Sequence, residues 1–561
     1  MLTMVGLPLF YLELAFGQYA SLGPITIWKA SPLFKGVGYS MVVLTLIVSV
    51  YYNVIMAFTV RYLFASFTST LPWATCSPSW PNCVDNRFEQ SISVEIFHSE
   101  GQPYGIIYRL SLYRREVLGV RNGTTIENLG PIQWKLCLSL ILAWIIVFLC
   151  IAKGIKSSGK VVYFTATFPY VMLFILFVRG VTLPGAGNGI AYYLKPDFHR
   201  MAHVTVWKEA AVQILYSLGP GFGTLLTMGS YNKFHNNCCK DAIIVSLINC
   251  GTSVFAGFVI FSVLGFMAHT HNVDVERVVD KGPELAFIAY PEALTMMPGA
   301  PFWAICFFFM LFLLGLDSQF ASMECIVTGF VDEFPKLLRW KTRFSALMCT
   351  VLFLLGLPCV TGGGLLVIQL IDKYVTAFPL LFLTAMEAIL LSWVYGYKRF
   401  ADDIQTMIGT RPNYYWLACW TFLTPVILGV IITFSSVQYD GMHYKHYTYP
   451  PMAEAVAWLL VVLSLVAIPG WMIAKFWQHV GTCRNFCWLF RGPVAMAALN
   501  LRSLVEPTSD WGPALAENRL QQEHSGAPLP EDDSANILPE REAETIAGEV
   551  TSYATMGDSY I

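Results

Sequence analysis

Residues 217–223 have the sequence SLGPGFG, and they lie inside an apolar segment, about 210–231, that is long enough to cross a membrane. Glycine and proline interrupt a helix, and in hydrocarbon an unpaired backbone N–H or C=O costs several kcal/mol. A broken helix therefore persists in a membrane only where it lines a polar cavity or is shielded by protein. The Gly219-Pro220-Gly221 interruption thus predicts a binding site within the membrane.

The composition of the chain supports this membrane context. Of its 561 residues, 55% are hydrophobic and 13% are charged, whereas charged residues make up about 25% of an ordinary soluble domain. The formal net charge of -2 gives no indication of a nucleic-acid partner. The fourteen cysteines show no metal-ligand spacing, and no nucleophile–base set is recognisable. The sequence therefore predicts a polytopic membrane protein that is not an enzyme.

Apolar segments of about 20 residues, the length that spans a bilayer, divide the chain into a series of predicted transmembrane helices. Eleven such segments are present, and one of them is the interrupted segment described above. Their approximate bounds are 1–26, 38–67, 132–151, 161–177, 210–231, 242–267, 302–330, 344–368, 377–395, 415–434 and 455–476. We therefore predict an all-α membrane protein with about eleven spans.

The long polar segment between the second and third spans indicates the orientation of the chain. It contains Cys76, Cys83 and the sequon at Asn122, and both disulfides and N-linked glycans belong on the extracellular side. Most lysine-rich and arginine-rich loops then fall on the cytoplasmic side, as the positive-inside rule requires. We predict two spans in 1–67, an extracellular loop in 68–131 with a Cys76–Cys83 disulfide, the remaining spans in 132–480, and a cytoplasmic tail in 481–561.

The tail is polar and is expected to be disordered after about residue 513. Its last three residues, Ser559, Tyr560 and Ile561, match the form of a ligand for a PDZ-type partner. Endings of this length are common by chance, so the three residues are weak evidence for a PDZ-type partner.

Two pairs of polar residues with the same spacing flank the interruption. Gln213 and Ser217 lie four residues apart just before it, and Asn249 and Ser253 lie four apart on the next span, so each pair occupies one helix face. Their amide and hydroxyl donors suit an anion such as chloride, and their oxygens suit sodium. The alternative is ordinary hydrogen bonding between membrane helices, which these residue types commonly provide.

Two acidic residues lie within apolar spans. Asp317, followed by Ser318, is deep in its span, and an intramembrane carboxylate indicates a functional site because its burial is costly. With the carbonyl of Leu314 one turn earlier, these groups would form an oxygen-rich cation site; a hydrogen-bonded structural Asp is the alternative. Glu13 is predicted to be a scaffold residue whose carboxylate accepts hydrogen bonds from N–H groups freed at the interruption.

Four further residues are candidates for a pocket or a gate. Asp372 lies at the end of a span, where it is either half of a gate ion pair or an ordinary interfacial carboxylate. Tyr52 and Tyr216, together with Phe222, either wall a pocket for a small molecule or form a packed aromatic core.

Several strings in the sequence carry a specific resemblance. GLPLFYLELAFGQ, YYNVIMAF, SLGPGFG and LGLDSQFAS resemble the sodium- and chloride-coupled neurotransmitter and amino acid symporters of solute carrier family 6. The resemblance extends to about residue 513 and is greatest to the branch of glycine and broad neutral and basic amino acid transporters. It implies the inverted-repeat symporter fold, a multi-pass location in the plasma membrane and transport by alternating access.

The resemblance also implies a role for each candidate residue. The chloride ligands would be Gln213, Ser217, Asn249 and Ser253. The sodium ligands would be Ser217, Asn249, Leu314, Asp317 and Ser318. The substrate would contact Tyr52, Tyr216, Gly219 and Phe222, while Asp372 would form the outer gate and Tyr231 and Asp332 the inner gate. Glycine-selective relatives resemble each other in carrying Trp where this chain has Phe222, so strict glycine selectivity is not expected.

One feature departs from the family pattern. Members have twelve spans, and this chain begins in what corresponds to the second, so the first span and its broken helix are expected to be missing. The leading interpretation is a plasma-membrane symporter that couples an amino acid to sodium and chloride. The alternative is a truncated, non-transporting isoform or paralogue that acts as a binding or assembly partner.

Overall fold

The structure, a computed structural model, describes residues 1–73, 125–152, 155–278, 286–287, 290–295, 298–437, 439, 441–444, 447–480 and 504–513. Cys76, Cys83 and Asn122 lie outside these residues, as do the end of the tail and its PDZ-type ligand. The predicted disulfide, glycosylation site and partner therefore stay predictions.

The described residues are mostly helical. The helices are α1 (Leu7–Ala20, after a π-helical turn, Leu2–Gly6), α2 (Gly36–Ala65), α3 (Trp134–Ala152), α4 (Ile155–Val181), α5 (Ala186–Leu194), α6 (Val204–Leu218), α7 (Thr224–Ser230), α8 (Cys238–His271), α9 (Val275–Val278), α10 (Tyr290–Thr295), α11 (Ala300–Glu333), α12 (Lys341–Gly356), α13 (Gly364–Val375), α14 (Phe378–Ile389), α15 (Tyr397–Ile408), α16 (Tyr414–Ala418), α17 (Thr424–Val437), α18 (Pro451–Leu465) and α19 (Ala467–Val480).

Shorter elements connect or extend these helices. Single 3-10 turns lie at Thr26–Ala30, Pro32–Phe34, Arg200–Ala202, Pro335–Trp340 and Leu357–Val360, and π-helical turns extend α14 and α16 at Leu390–Val394 and Cys419–Leu423. Within the described residues the sheet structure is one antiparallel hairpin, in which β1 (His443–Tyr444) pairs with β2 (Tyr447–Thr448). The predicted all-α membrane class is confirmed.

Apolar helices long enough to cross a membrane account for most of the predicted spans. Eight are present in the described part of the chain, and α18 and α19 form a ninth span that bends by 42°. The other two predicted spans coincide with shorter helices, α1 with its π-helical turn and the pair formed by α6 and α7. The helices thus follow the apolar segments of the sequence.

One predicted boundary is wrong. The expected span 344–368 stops at Val360, and the chain restarts in α13, which continues through α14 as a single span, Gly364–Val394. The turn between them requires glycine, since a Cβ on Gly364 would lie 2.0 Å from the carbonyl oxygen of Cys359. Hydropathy cannot detect such a turn because Leu365, Leu366 and Val367 continue the apolar pattern beyond it.

Helix α1 packs closely along α7, and this packing positions the interruption. A Cβ on Gly17 would lie 2.3 Å from the carbonyl oxygen of Leu226, and one on Gly229 would lie 2.7 Å from that of Leu14. Small residues allow membrane helices to approach this closely, and the gain is van der Waals contact. The two helices therefore form one tightly packed unit.

Residues 504–513, here called the C-terminal strap, pack against the end of α1 and the start of α15. The Trp511 indole donates a hydrogen bond to the Tyr395 hydroxyl (2.9 Å), and its ring lies 5.5 Å from that of Phe16. Asp510 forms an ion pair with Lys29, and the Thr508 N–H donates to the Lys29 carbonyl (3.1 Å). The strap thus holds the end of α1, the segment around Lys29 and the start of α15 together on one side of the bundle.

A buried carboxyl group lies beneath this strap. Asp403 of α15 is 3% exposed, and its Oδ2 accepts a hydrogen bond from the Tyr395 hydroxyl (2.5 Å). Burial raises its pKa from 3.8 to about 7, although hydrogen bonds from Tyr395 and Tyr19 and the charge of Arg399 oppose the shift. Asp403 lies between two spans rather than within one.

The raised pKa of Asp403 gives stability a pH dependence. The folded state binds the proton more tightly than the unfolded state, so the stability that Asp403 contributes falls as the pH rises from about 4 to about 7 and is then constant. We expect the thermal midpoint of the purified protein to be lower at pH 8 than at pH 6, and Asp403→Asn to reduce this difference. The control is Asp402→Asn, which removes a half-exposed carboxylate from the same helix. An equal effect of both variants would contradict the prediction.

Candidate functional site

The interrupted helix consists of α6, α7 and the five residues between them. Gly219, Gly221 and Gly223 have φ angles of 84°, 84° and 77°, which are left-handed conformations that other residues rarely adopt. Alternate glycines therefore make the interruption possible, and the Gly221 N–H and the Phe222 carbonyl take side-chain partners instead of helical ones.

Side chains from three other helices hold this segment in place. Glu13 of α1 is fully buried, and its Oε1 accepts a hydrogen bond from the Gly221 N–H (2.5 Å), as the sequence interpretation expected of a scaffold residue. The Thr45 hydroxyl of α2 donates to the Phe222 carbonyl (2.7 Å), and the Cys325 thiol of α11 also points at that carbonyl (3.6 Å). The non-helical backbone at the interruption is thus fixed by a carboxylate, a hydroxyl and a thiol.

Sequence reasoning missed three of the groups that surround the interruption, Thr45, Cys325 and Glu387. Thr45 had no local signal, because a single Thr inside an apolar span is common. Glu387 of α14 did have one, since it is an acidic residue within a span, and its fully buried side chain lies beside Glu13.

The two polar pairs come together across α6 and α8. The Asn249 amide Nδ2 donates to the Ser217 hydroxyl (2.8 Å), while the Ser253 hydroxyl donates to the Asn249 carbonyl of its own helix (3.1 Å). Gln213 lies one turn before Ser217 on the same face of α6, and Gln213, Ser217 and Ser253 are exposed. The Ser217–Asn249 bond is compatible with both interpretations made from the sequence, a contact between helices and a shared ion site.

Asp317 has a partner on another helix. It is half-buried, and its Oδ1 accepts a hydrogen bond from the Thr165 hydroxyl of α4 (2.5 Å). Leu314 and Ser318, three residues before it and one after, are exposed on α11, and the hydroxyl of Tyr52 approaches Ser318. Thr165 was not identified from the sequence, because its role depends entirely on which helix packs against α11.

The aromatic candidates and Asp372 lie in one region. The Tyr216 and Phe222 rings meet edge to face with centroids 6.1 Å apart, and Phe222 is 7% exposed. The Tyr51 hydroxyl donates to Asp372 Oδ1 (2.8 Å) and neighbours Tyr216. Asp372 is therefore tied to the aromatic group by a tyrosine hydroxyl.

The two inner gate candidates have different hydrogen-bond partners. Asp332 Oδ2 accepts a hydrogen bond from the Gly23 N–H (2.7 Å). The Tyr231 hydroxyl instead donates to Glu324 Oε1 (3.0 Å), which also pairs with Lys341 (3.0 Å). Glu324 was missed, although an acidic residue inside the apolar α11 segment is the same signal that identified Asp317.

Comparisons with known proteins match nearly the whole chain. Residues 1–479 match the family described as Sodium:neurotransmitter symporter family. The Sodium- and chloride-dependent glycine transporter 2 of Xenopus laevis is 44% identical over 547 residues, which are 92% of this chain and 67% of that protein. The Sodium- and chloride-dependent glycine transporter 1 of Xenopus laevis is 44% identical over 534 residues, which are 92% of this chain and 82% of that protein.

Proposed function

We propose, because this chain belongs to the Sodium:neurotransmitter symporter family, that it transports a small neutral amino acid across the plasma membrane together with sodium and chloride. The family gives the chain its symporter fold and its multi-pass plasma-membrane location. The observation that carries the proposal is the interrupted helix, whose non-helical backbone Glu13 holds through the Gly221 N–H while Ser217 and Asn249 meet directly beside it.

The residues near the interruption suit the two ions. A sodium ion would take oxygens from Asp317, Ser318 and the Leu314 carbonyl, with Ser217 and Asn249 serving a second sodium position. Thr165 bonds one oxygen of Asp317, which fixes the carboxylate and leaves Oδ2 for a cation. The sodium gradient would drive amino acid uptake, because sodium bound together with the amino acid moves down its own gradient into the cell.

Chloride would be held by neutral donors. Gln213, Ser217, Asn249 and Ser253 provide amide N–H and hydroxyl groups on facing turns of α6 and α8, and the bond between Ser217 and Asn249 brings the two helices into register. Such donors fit an anion without adding a charge of their own. Ser217 and Asn249 belong to both proposed ion sites, which would couple them.

The substrate pocket is proposed to lie between the interruption and α2. Tyr52 would offer a hydroxyl, Gly219 its backbone, and the Tyr216 and Phe222 pair an aromatic wall. The names of the relatives make glycine the first substrate to test, and the Phe222 ring leaves slightly larger neutral amino acids as the second.

The gates would be two hydrogen-bonded groups at opposite ends. On the outer side Asp372 would be released from Tyr51 as the site opens, and on the inner side Tyr231 and Asp332 would lose their bonds to Glu324 and Gly23. Alternating access requires that only one of these groups is open at a time.

Uptake into proteoliposomes that contain the complete gene product tests this proposal. We expect saturable uptake of glycine or another small neutral amino acid. Replacing sodium by choline, or chloride by gluconate, should reduce uptake at least about tenfold, which corresponds to a contribution of about 1.4 kcal/mol or more from each ion. Asn249→Ala should weaken the dependence on both ions.

Ser262→Ala is the matched control for this test. Ser262 lies on α8 as Asn249 does, but its hydroxyl donates only to Val259 of the same helix (2.8 Å). We expect it to leave ion dependence unchanged. Wild-type ion dependence in Asn249→Ala would contradict the assignment of Asn249 as an ion ligand. Wild-type uptake that is unchanged when sodium and chloride are replaced would contradict the proposed ion-coupled transport.

A further inference from the structure

A crevice separate from the proposed transport site opens at one end of the bundle. Its volume is about 540 Å³, and it lies between the first turns of α8, the middle of α1 and the connection from α15 to α16. Two membrane spans begin beside it, Cys238–Thr270 and Tyr414–Val437, so it lies at a boundary between membrane and water. Exposed Lys233 and Lys240 at this end mark it as the cytoplasmic side by the positive-inside rule.

The charged groups that line this crevice are all cations. Among the described residues these cations are Lys240 and Arg411, and that part of the lining includes no acidic residue. Arg411 Nη2 pairs with Asp402 from outside the crevice (2.8 Å), which engages one of its five N–H donors. Lys240 lies in the first turn of the long helix α8, where the helix dipole adds positive potential and the neighbouring Asp241 opposes it.

The remaining walls of the crevice are mostly apolar or aromatic. Ile243 and Ile244 continue one face of α8 away from Lys240 toward the membrane, and Ile244 is 42% exposed. Trp416 and Tyr11 form the opposite wall, and exposed Tyr414 and Tyr415 lie beside it, as aromatic residues do at membrane interfaces. The crevice thus changes from cationic to apolar along its length.

We propose that this crevice binds an anionic glycerophospholipid of the cytoplasmic leaflet, with the phosphate between Lys240 and Arg411 and an acyl chain along Ile243, Ile244 and Trp416. The order of charges and apolar groups matches that of such a lipid, and basic pockets between membrane helices are typical binding places for its head group. A bound lipid would contact both α1, which holds the interrupted helix, and α8, which carries Asn249.

Native mass spectrometry of the purified complete protein with added phosphatidylserine or phosphatidylcholine tests the proposal. We expect the wild type to retain phosphatidylserine in preference to phosphatidylcholine. The double variant Lys240→Gln with Arg411→Gln should bind phosphatidylserine about thirtyfold more weakly, because each of the two basic residues contributes about 1 kcal/mol to anionic-lipid attraction.

Two further variants separate charge recognition from damage to the fold. Lys336→Gln with Lys398→Gln removes two exposed cations that do not line the crevice, and we expect no change in binding. The exchange Lys240→Arg with Arg411→Lys keeps both charges and should retain the lipid.

Three outcomes would overturn the proposal. The first is equal phosphatidylserine retention by the Gln double variant and the wild type. The second is full displacement of the lipid by soluble glycerol phosphate, which would identify a free phosphate site. The third is equal binding of cholesterol, which has no charge, and phosphatidylserine in every variant, which would identify an apolar crevice without charge recognition.

Discussion

Replacing Asp317 by Asn is expected to abolish sodium-stimulated amino acid uptake. The carboxylate is half-buried within a span, and its Oδ1 accepts the Thr165 hydroxyl at 2.5 Å, so it is oriented as an anionic ligand. Removing one partner of a buried charge pair costs about 3 to 5 kcal/mol, which corresponds to about a hundredfold or greater loss of sodium affinity. The measurement is uptake against sodium concentration in cells that express the complete gene product.

Two companion variants make this result specific. Thr165→Val keeps the charge but removes the orienting hydroxyl, and we expect a loss of about tenfold or less, the value of one hydrogen bond to a charged group. Ser322→Ala, one turn away on the same helix, changes a hydroxyl that donates only to Ser318 of that helix (3.0 Å), and sodium affinity should not change. If Asp317→Asn retained the sodium dependence of the wild type, Asp317 would be a structural residue instead.

Replacing Glu13 by Leu is expected to give the second large effect, on folding. Glu13 is fully buried and accepts the Gly221 N–H at 2.5 Å, so Leu would leave that donor without a partner inside the membrane. A lost hydrogen bond of this kind costs about 2 kcal/mol or more. We expect a lower thermal midpoint and little protein at the cell surface.

Glu13→Gln is the matched control because it keeps a carbonyl oxygen for Gly221. It also leaves Glu387 as the one acidic group of the pair that Glu13 and Glu387 form, so no repulsion between two buried carboxylates remains. We therefore expect near-normal surface expression. Equal loss of surface protein in both variants would show that the carboxyl group itself is required, and that accepting the Gly221 bond is not its main role.

Much of the fold was predictable from the sequence because its causes are local. A span is an uninterrupted apolar segment of bilayer length, and the eleven predicted segments all correspond to helices. The closely spaced glycines Gly219, Gly221 and Gly223 indicated the interruption in the sequence. In the structure each of them adopts a left-handed conformation. The exception, the misplaced end of the span at Val360, arose because Gly364 makes a turn that does not interrupt the apolar pattern.

The partners within the candidate site were less predictable. Asp317 was identified by the cost of a carboxylate in hydrocarbon, but Thr165 was not, because a Thr on a span carries no such cost. Tyr51 and Asp372 are 321 residues apart, and nothing in either segment indicates the other. Glu324 and Glu387 were available to the same reasoning as Asp317 and were overlooked.

The sequence by itself therefore determined the membrane class, the positions of the helices and the place where one of them breaks. These follow from the transfer energy and backbone conformation of each residue, which do not depend on distant segments. Only the tertiary structure decided that Glu13 meets Gly221, that Ser217 meets Asn249, and that a cationic crevice forms between α1, α8 and α16. Those contacts depend on how helices rotate and slide against each other, and van der Waals packing among many apolar side chains fixes that arrangement without a local signal.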